Sequence, residues 1–481
     1  MTTQYAFSFD STFCSGCKAC QAACKDKNNL PTGVLWRRVY EVSGGTWQHD
    51  GEAWRNTVFA YNLSMACNHC HHPKCAGVCP VDAFVIRQDG IVLLDTSKCV
   101  GCGYCAWACP YGVPQYNPNF GTMTKCDFCF DNLEQGLPPA CVAACPMRVL
   151  DYRDTSVDQG SGTEELVLWE AHPEEHPYPL PNYSRTQPRL AIKLHPAIST
   201  LEKKSVANLE EVRPRMPSGW EDVPLILFTL LGQMAVGSFW ALLWTFPFLW
   251  VGVDNGTTLM RLLPALLIAI CLGAGTLLSF AHLGKKKNAW RVLGHLSRSW
   301  LSREILFTGL FGMGWLITTV ESVIWRRNTI EWMGISAALG LGLVYSMAQV
   351  YRLRSVPSWN TWQTNLGFLV SALLLGQSAM AGMLLYESKI TGLQIPSVQW
   401  MLIGGILLLL LLIQLLLIGK RFPHPVFHPI RIGLIFVGLA LVIVDFILFG
   451  SHLLWLSILI FLIIALEEGV GRWLFYQSRS K

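Results

Sequence analysis

The chain changes pattern partway along its length. Up to about Asp222 apolar and polar residues alternate in short stretches, none longer than a strand or a small helix needs; from Val223 onward long apolar runs are separated by short basic loops. Eight of those runs can cross about 30 Å of hydrocarbon as helices. They lie near 224–250, 260–282, 304–325, 332–351, 364–386, 399–418, 432–450 and 452–474. In the first part, Phe84 to Leu94 (FVIRQDGIVLL) reads as a β-hairpin turning at Asp89-Gly90. Between the two parts, Gly160 to Glu175 is acidic and Pro177 to Pro196 is proline-rich with little periodicity. That stretch reads as an irregular strap or tether. The pattern thus predicts a small α+β domain over 1–155, a strap over 156–222 and an all-α polytopic membrane bundle over 223–481.

Composition sharpens the membrane reading. Hydrophobic residues make up 52% and charged residues 14%, with a mean hydropathy of +0.35; a soluble domain carries about a quarter charged residues. The net charge of +5 is placed for a membrane rather than for nucleic acid. Eight spans put both ends of the bundle on one side. On that side the loops and tails hold eighteen Lys and Arg, against Arg261, Arg326, Arg327 and Lys389 on the other. The bias predicts that the N-terminal domain faces the cytoplasm. Met1 to Asp10 has no basic n-region, apolar h-region or twin arginine, so no export signal is read there.

Cysteine carries the chemistry. Sixteen of seventeen lie between Cys14 and Cys145, in four groups of four. Cys14, Cys17, Cys20 and Cys24 are spaced C-x2-C-x2-C-x3-C, as are Cys99, Cys102, Cys105 and Cys109. Cys67, Cys70, Cys75 and Cys79 widen one gap, and Cys126, Cys129, Cys141 and Cys145 carry an eleven-residue insertion. Three closely spaced thiolates reach three irons of a cubane, and the fourth points to the neighbouring cluster, as in bacterial two-cluster ferredoxins. Three groups end in Cys-Pro, which suits the opening of a helix. Four such groups predict four [4Fe–4S] clusters in two ferredoxin-like pairs; disulfides and structural zinc fit the repeated runs poorly. His69, His71 and His72 read as surface residues or as donors behind the ligands, since cysteine already completes the ligand count.

Ionisable residues in membrane spans are candidates for function. His282 ends the second span, Glu304 opens the third, and Glu468 and Arg472 end the eighth, all at the membrane face of the cluster domain. A quinol site needs such groups: a His or carboxylate to take the proton and a cation to hold the carbonyl. Glu321 and Asp445 fall toward the opposite face and read as satisfied buried or interfacial polar residues, with a proton route through them as the alternative. No haem b is expected: His282 and His452 fall at opposite faces, and His424 and His428 lie in a loop.

The first 150 or so residues resemble the iron–sulfur subunit of the dimethyl sulfoxide reductase family, which carries these four Cys groups in this order. The resemblance implies that Cys14, Cys17 and Cys20 share a cluster with Cys145, and Cys126, Cys129 and Cys141 with Cys24. It likewise pairs Cys67, Cys70 and Cys75 with Cys109, and Cys99, Cys102 and Cys105 with Cys79. The hydrophobic half looks like the eight-helix anchor subunit of the same reductases. The similar stretches are Pro224 to Phe239, His282-Leu283-Gly284, Leu301 to Ile305, Val356-Pro357-Ser358-Trp359 and Glu468 to Tyr476. The family's menaquinol-site His and Glu match His282 and Glu304. The departure is that the family usually keeps these pieces as separate subunits.

What the resemblance implies is an electron-transfer subunit in a bacterial or archaeal cytoplasmic membrane. It would draw on the lipid-borne quinone pool, oxidise menaquinol or ubiquinol, and feed a separate molybdopterin subunit. Because export in some members relies on a signal carried by that partner, a periplasmic cluster domain stays open. Two other readings stay open as well: the same wire reversed to reduce quinone for a dehydrogenase or hydrogenase, and a membrane-bound cluster scaffold or redox sensor.

Overall fold

A computed structural model describes residues 4–44, 47–51, 53–56, 58–155, 167–168, 181, 185–193, 195–196, 222–244, 258–325, 330–391, 397–418, 425–448 and 453–480. It separates into two compact units. One is Met1–Met216 together with Leu283–Arg298; the other is Pro217–His282 together with Ser299–Lys481.

The first unit is a small α+β domain. Its N-terminal strand, Tyr5–Asp10, has four consecutive buried residues because it lies inside a four-stranded sheet, covered on both edges. Leu150–Asp154, just after the last cysteine group, pairs antiparallel on one edge, and Leu190–Lys193 pairs parallel on the other. That second neighbour, with Val167–Leu168 beyond it, comes from the stretch that reads as an irregular strap. Four residues between prolines give no periodicity, and the strand exists because Phe7 to Asp10 offer it an open edge. The rest of the acidic stretch 160–175 lies outside the described residues. The hairpin at Asp89-Gly90 forms as its sequence suggests, Phe84–Ile86 against Val92–Leu94, with Gly90 at φ 80°.

The core of this unit is built around sulfur. Phe7, Phe9, Leu63, Phe128, Leu150 and Ile192 pack with Cys20, Cys24, Cys67, Cys126, Cys141 and Cys145. A second core holds Val81, Val92, Val100 and Met123 with Cys79, Cys99 and Cys105, and it includes Val292, with Leu283 against it. Those last two belong to the loop between the second and third spans. The loop is a 3-10 helix, Lys286–His295, clamped by hydrogen bonds at its start: Lys285 N–H donates to Val100 O, and Asn288 Nδ2 donates to Ser97 O and Cys99 O. Gly284 lies so close to Gly121 that a Cβ would sit 2.2 Å from its carbonyl oxygen.

Among the described residues the second unit contains eight helices long and apolar enough to cross a membrane: Val223–Trp244, Thr258–His282, Trp300–Thr319, Ile330–Tyr351, Trp362–Thr391, Ser397–Ile418, Phe427–Ile447 and Leu454–Gln477. The first and fifth approach through small residues; a Cβ on Gly376 would stand 2.0 Å from Gly237 C. Such contacts let helix backbones pack closely where no hydrophobic force drives association. Arg479, just past the last span, forms an ion pair with Asp222 at the start of the first, so the two ends of the bundle share one face.

Three helix ends differ from the hydropathy reading in ways that move a polar residue. The third span starts at Trp300, so Glu304 lies a turn inside it and not at its opening. The fifth runs on to Thr391 and takes in Glu387. Hydropathy marks where lipid begins, whereas backbone hydrogen bonding decides where a helix begins. His428 falls in the first turn of the seventh span, not in a loop, while His424 and His452 lie outside the described residues.

Candidate cluster and quinol sites

All seventeen cysteines are free thiols. The sixteen N-terminal ones gather in four sets drawn from different parts of the sequence. Cys14, Cys17, Cys20 and Cys145 line one cavity of about 20 Å³, and Cys67, Cys70, Cys75 and Cys109 line another of about 20 Å³. Cys24 is within electrostatic reach of Cys129 and Cys141, and Cys126 of Cys24 and Cys141. Cys102 and Cys105 face Cys79 and Cys99 in the same way. Three of the helices in these loops start from a left-handed residue, at Lys18 (φ 62°), Gly103 (φ 76°) and Cys129 (φ 49°).

The donor set fits iron–sulfur clusters. Burial pushes the thiols of Cys24 and Cys102 up to about 12 and those of Cys109 and Cys129 up to about 11. A thiolate at these positions is favourable only beside a cationic partner such as iron.

Behind the ligands lie two buried groups with orphan polar atoms. His69 is 1% exposed; its Nδ1 accepts from Val92 N–H at 3.0 Å, which leaves the proton on Nε2, and that atom has no partner among the described residues. Burial holds His69 well below the usual imidazole range, so it is neutral. It is a core residue, while His71 and His72 are exposed. Arg37 is likewise buried, with Nε and Nη2 unpartnered among the described residues. The cysteine spacing already draws attention to His69, whereas a lone Arg in a loop has no sequence signature, so only the fold reveals Arg37.

In the membrane unit, polar groups gather where the eighth span ends. Glu468 accepts from Ser371 Oγ at 2.6 Å and Gln414 Nε2 at 3.0 Å. Arg431 Nε is 2.7 Å from Glu467 Oε1, and Arg472 Nη2 donates to Gln233 Oε1 at 2.7 Å while its guanidinium lies over Phe368. Glu468, Arg472, Ser371, Gln414 and Arg431 line a cavity of about 70 Å³. Glu304 is 3% exposed, its Oε1 without a partner among the described residues. It is within electrostatic reach of Tyr351 and Tyr476, whose hydroxyls are 2.5 Å apart. His282, half-buried, is the last residue of the second span.

The pattern reading names Glu304, Glu468 and Arg472 but not the two tyrosines or Glu467. The tyrosines are 125 residues apart and look like ordinary interfacial aromatics. Toward the other face, Glu321 and Asp445 are half-buried, while Glu387, which hydropathy leaves in a loop, is fully buried.

Buried cysteine sets in an α+β domain, carried on eight apolar helices, define a membrane-anchored iron–sulfur electron-transfer protein. The protein belongs to the DMSO reductase anchor subunit (DmsC) family, which matches residues 216–477, and residues 58–155 match the 4Fe-4S dicluster domain. Its N-terminal part is 53% identical over 152 residues to the B subunit of anaerobic dimethyl sulfoxide reductase from Escherichia coli, covering 32% of this sequence and 74% of that one. It is 46% identical over 194 residues to YnfG, a probable anaerobic dimethyl sulfoxide reductase subunit of the same organism, covering 40% and 90%. It is also 36% identical over 192 residues to a formate dehydrogenase iron–sulfur subunit of Wolinella succinogenes, covering 33% and 91%. The polypeptide is therefore an iron–sulfur subunit fused to its membrane anchor.

Proposed function

We propose that this protein oxidises quinol at one membrane face and passes the electrons through four [4Fe–4S] clusters to a separate molybdopterin catalytic subunit. The observation that carries the reading is the loop Leu283–Arg298. It follows His282 directly, precedes the span that bears Glu304, and is clamped onto the residues around Cys99. Only Leu283 and Gly284 separate His282 from Lys285, a reach of at most roughly 11 Å. The cluster assigned to Cys79, Cys99, Cys102 and Cys105 is accordingly the entry point for electrons. Bound cubanes supply one-electron carriers in series.

In this account His282 and Glu304 take the quinol protons. The orphan oxygen of Glu304 is an open acceptor, and the Tyr351–Tyr476 hydroxyl pair beside it is suited to relay a proton. Glu468 and Arg472 line a cavity whose polar lining suits water. Glu468 takes up protons there, while Arg472, a permanent cation, holds acceptors such as Gln233 Oε1 in place. The excess of basic residues on the cluster-domain side supports a cytoplasmic placement, though Lys203, Lys204, Arg213, Arg215, Arg326, Arg327, Lys420, Arg421 and Lys481 lie outside the described residues.

The test is cluster reduction in membranes, followed by low-temperature electron paramagnetic resonance after adding a quinol analogue. Four signals reduced by quinol in the unaltered protein, and reduced only by dithionite after His282→Ala or Glu304→Gln, support the proposal. Signals that the analogue reduces equally in both variants overturn it. The likeness to a formate dehydrogenase subunit favours one second reading, the same wire reducing quinone. That reading predicts clusters oxidised by quinone and left unreduced by quinol.

A further inference from the structure

Arg37 is a buried cation that the described residues satisfy only in part. It is 2% exposed and precedes the strand Arg38–Gly44. Its Nη1 donates to Ser64 O at 3.3 Å and to Ser64 Oγ at 3.2 Å. Its Nε and Nη2 find no partner among the described residues. One face of the guanidinium lies 4.5 Å from the centre of the Phe7 ring. Its strongest electrostatic neighbours are the sulfurs of Cys141, Cys126, Cys20 and Cys24. Ser64 extends the contact, since its Oγ is 3.3 Å from Cys20 Sγ.

Leaving a charge buried without a counter-ion is strongly unfavourable, so the site is complete only when something anionic fills the space between those sulfurs. Three of them belong to the set Cys24, Cys126, Cys129 and Cys141, and the fourth to the set Cys14, Cys17, Cys20 and Cys145. A cubane with four thiolates is anionic and becomes more so on reduction. A fixed positive charge in a dry interior therefore favours the reduced form. Lys125 is a useful contrast. It too is buried beside Cys126, but its ammonium already donates to Val92 O and Cys126 O, so more of its charge is met by the protein.

We propose that Arg37 is the redox-tuning residue of this cluster pair. Its guanidinium is the counter-ion that raises the reduction potential of the cluster held by Cys24, Cys126, Cys129 and Cys141 and, less strongly, of its neighbour at Cys14, Cys17, Cys20 and Cys145. Along the wire these are the clusters away from the Cys99 entry point, so the charge draws electrons onward. The inference rests on the four-cluster reading above.

The experiment is a redox titration by electron paramagnetic resonance of membranes containing the full-length protein with its catalytic partner. Arg37→Gln should lower the reduced-to-oxidised ratio of one signal about tenfold or more at fixed potential, which is about 59 mV for a one-electron couple. A second signal should move less, and the two from the other sets should stay in place. Arg37→Lys, which keeps the charge, should leave all four within that tenfold. Four signals that none of these changes move would overturn the proposal, whereas fewer than four in the unaltered complex would instead defeat the four-cluster reading. If Arg37→Gln assembles no cluster in these two sets, Arg37→Lys decides: clusters restored at unshifted potential support the role of charge. Clusters lost as in the Gln variant contradict it.

Discussion

Arg431 and Glu467 show how a single pair governs the polar end of the bundle. They are 2.7 Å apart, with side chains 11% and 1% exposed, in surroundings where an unpaired charge finds little water. Removing one partner strands the other, so Arg431→Leu should destabilise the anchor by about 3–5 kcal/mol. Arg431→Leu combined with Glu467→Gln should recover much of that loss. Thermal denaturation of the detergent-solubilised protein would measure both; a double variant as unstable as the single one would show that the pair is not the cause. At this scale the sequence is readable where chemistry is local. Cysteine spacing announces clusters because the ligands of one cube come mostly from one loop. Arg37, Tyr351 and Tyr476 are illegible because their roles depend on neighbours far along the sequence.

Among the elements, apolar length alone identifies all eight spans, because lipid demands it. Their packing is less visible. Gly376 reads as one small residue among many, yet it meets Gly237 backbone to backbone. Gly376→Val should force the first and fifth spans apart and sharply reduce the yield of folded protein. Gly382→Val, where a Cβ meets nothing within 4 Å, should change yield far less. The Leu283–Arg298 loop reads as a basic turn at the membrane surface, and its positive charge is real, but its backbone is committed to the cluster domain. Asn288→Ala removes two donor contacts from the carbonyls of Ser97 and Cys99 and should weaken that hold by about 1–3 kcal/mol. Trypsin should then cut at Lys285–Lys287 faster than in the unaltered protein, with cluster content unchanged. The strand Leu190–Lys193 is hidden for the opposite reason: four residues are too few for a period, and its partner strand supplies the order.

Taken whole, the molecule joins in one polypeptide two parts that are each recognisable alone. Cysteine groups mark one and apolar runs the other. In the proposed function, the loop that follows His282 is the covalent link between the quinol site and the cluster set around Cys99. This arrangement makes the order of reduction the most direct test. Membranes mixed with a quinol analogue and frozen at intervals of milliseconds would be read by electron paramagnetic resonance, with the signals assigned through Cys99→Ser. The account predicts that the cluster lost or altered in Cys99→Ser is the first to be reduced in the unaltered protein, and that Glu304→Gln abolishes that first phase. First reduction of the cluster at Cys14, Cys17, Cys20 and Cys145, or a first phase indifferent to Glu304, would contradict it.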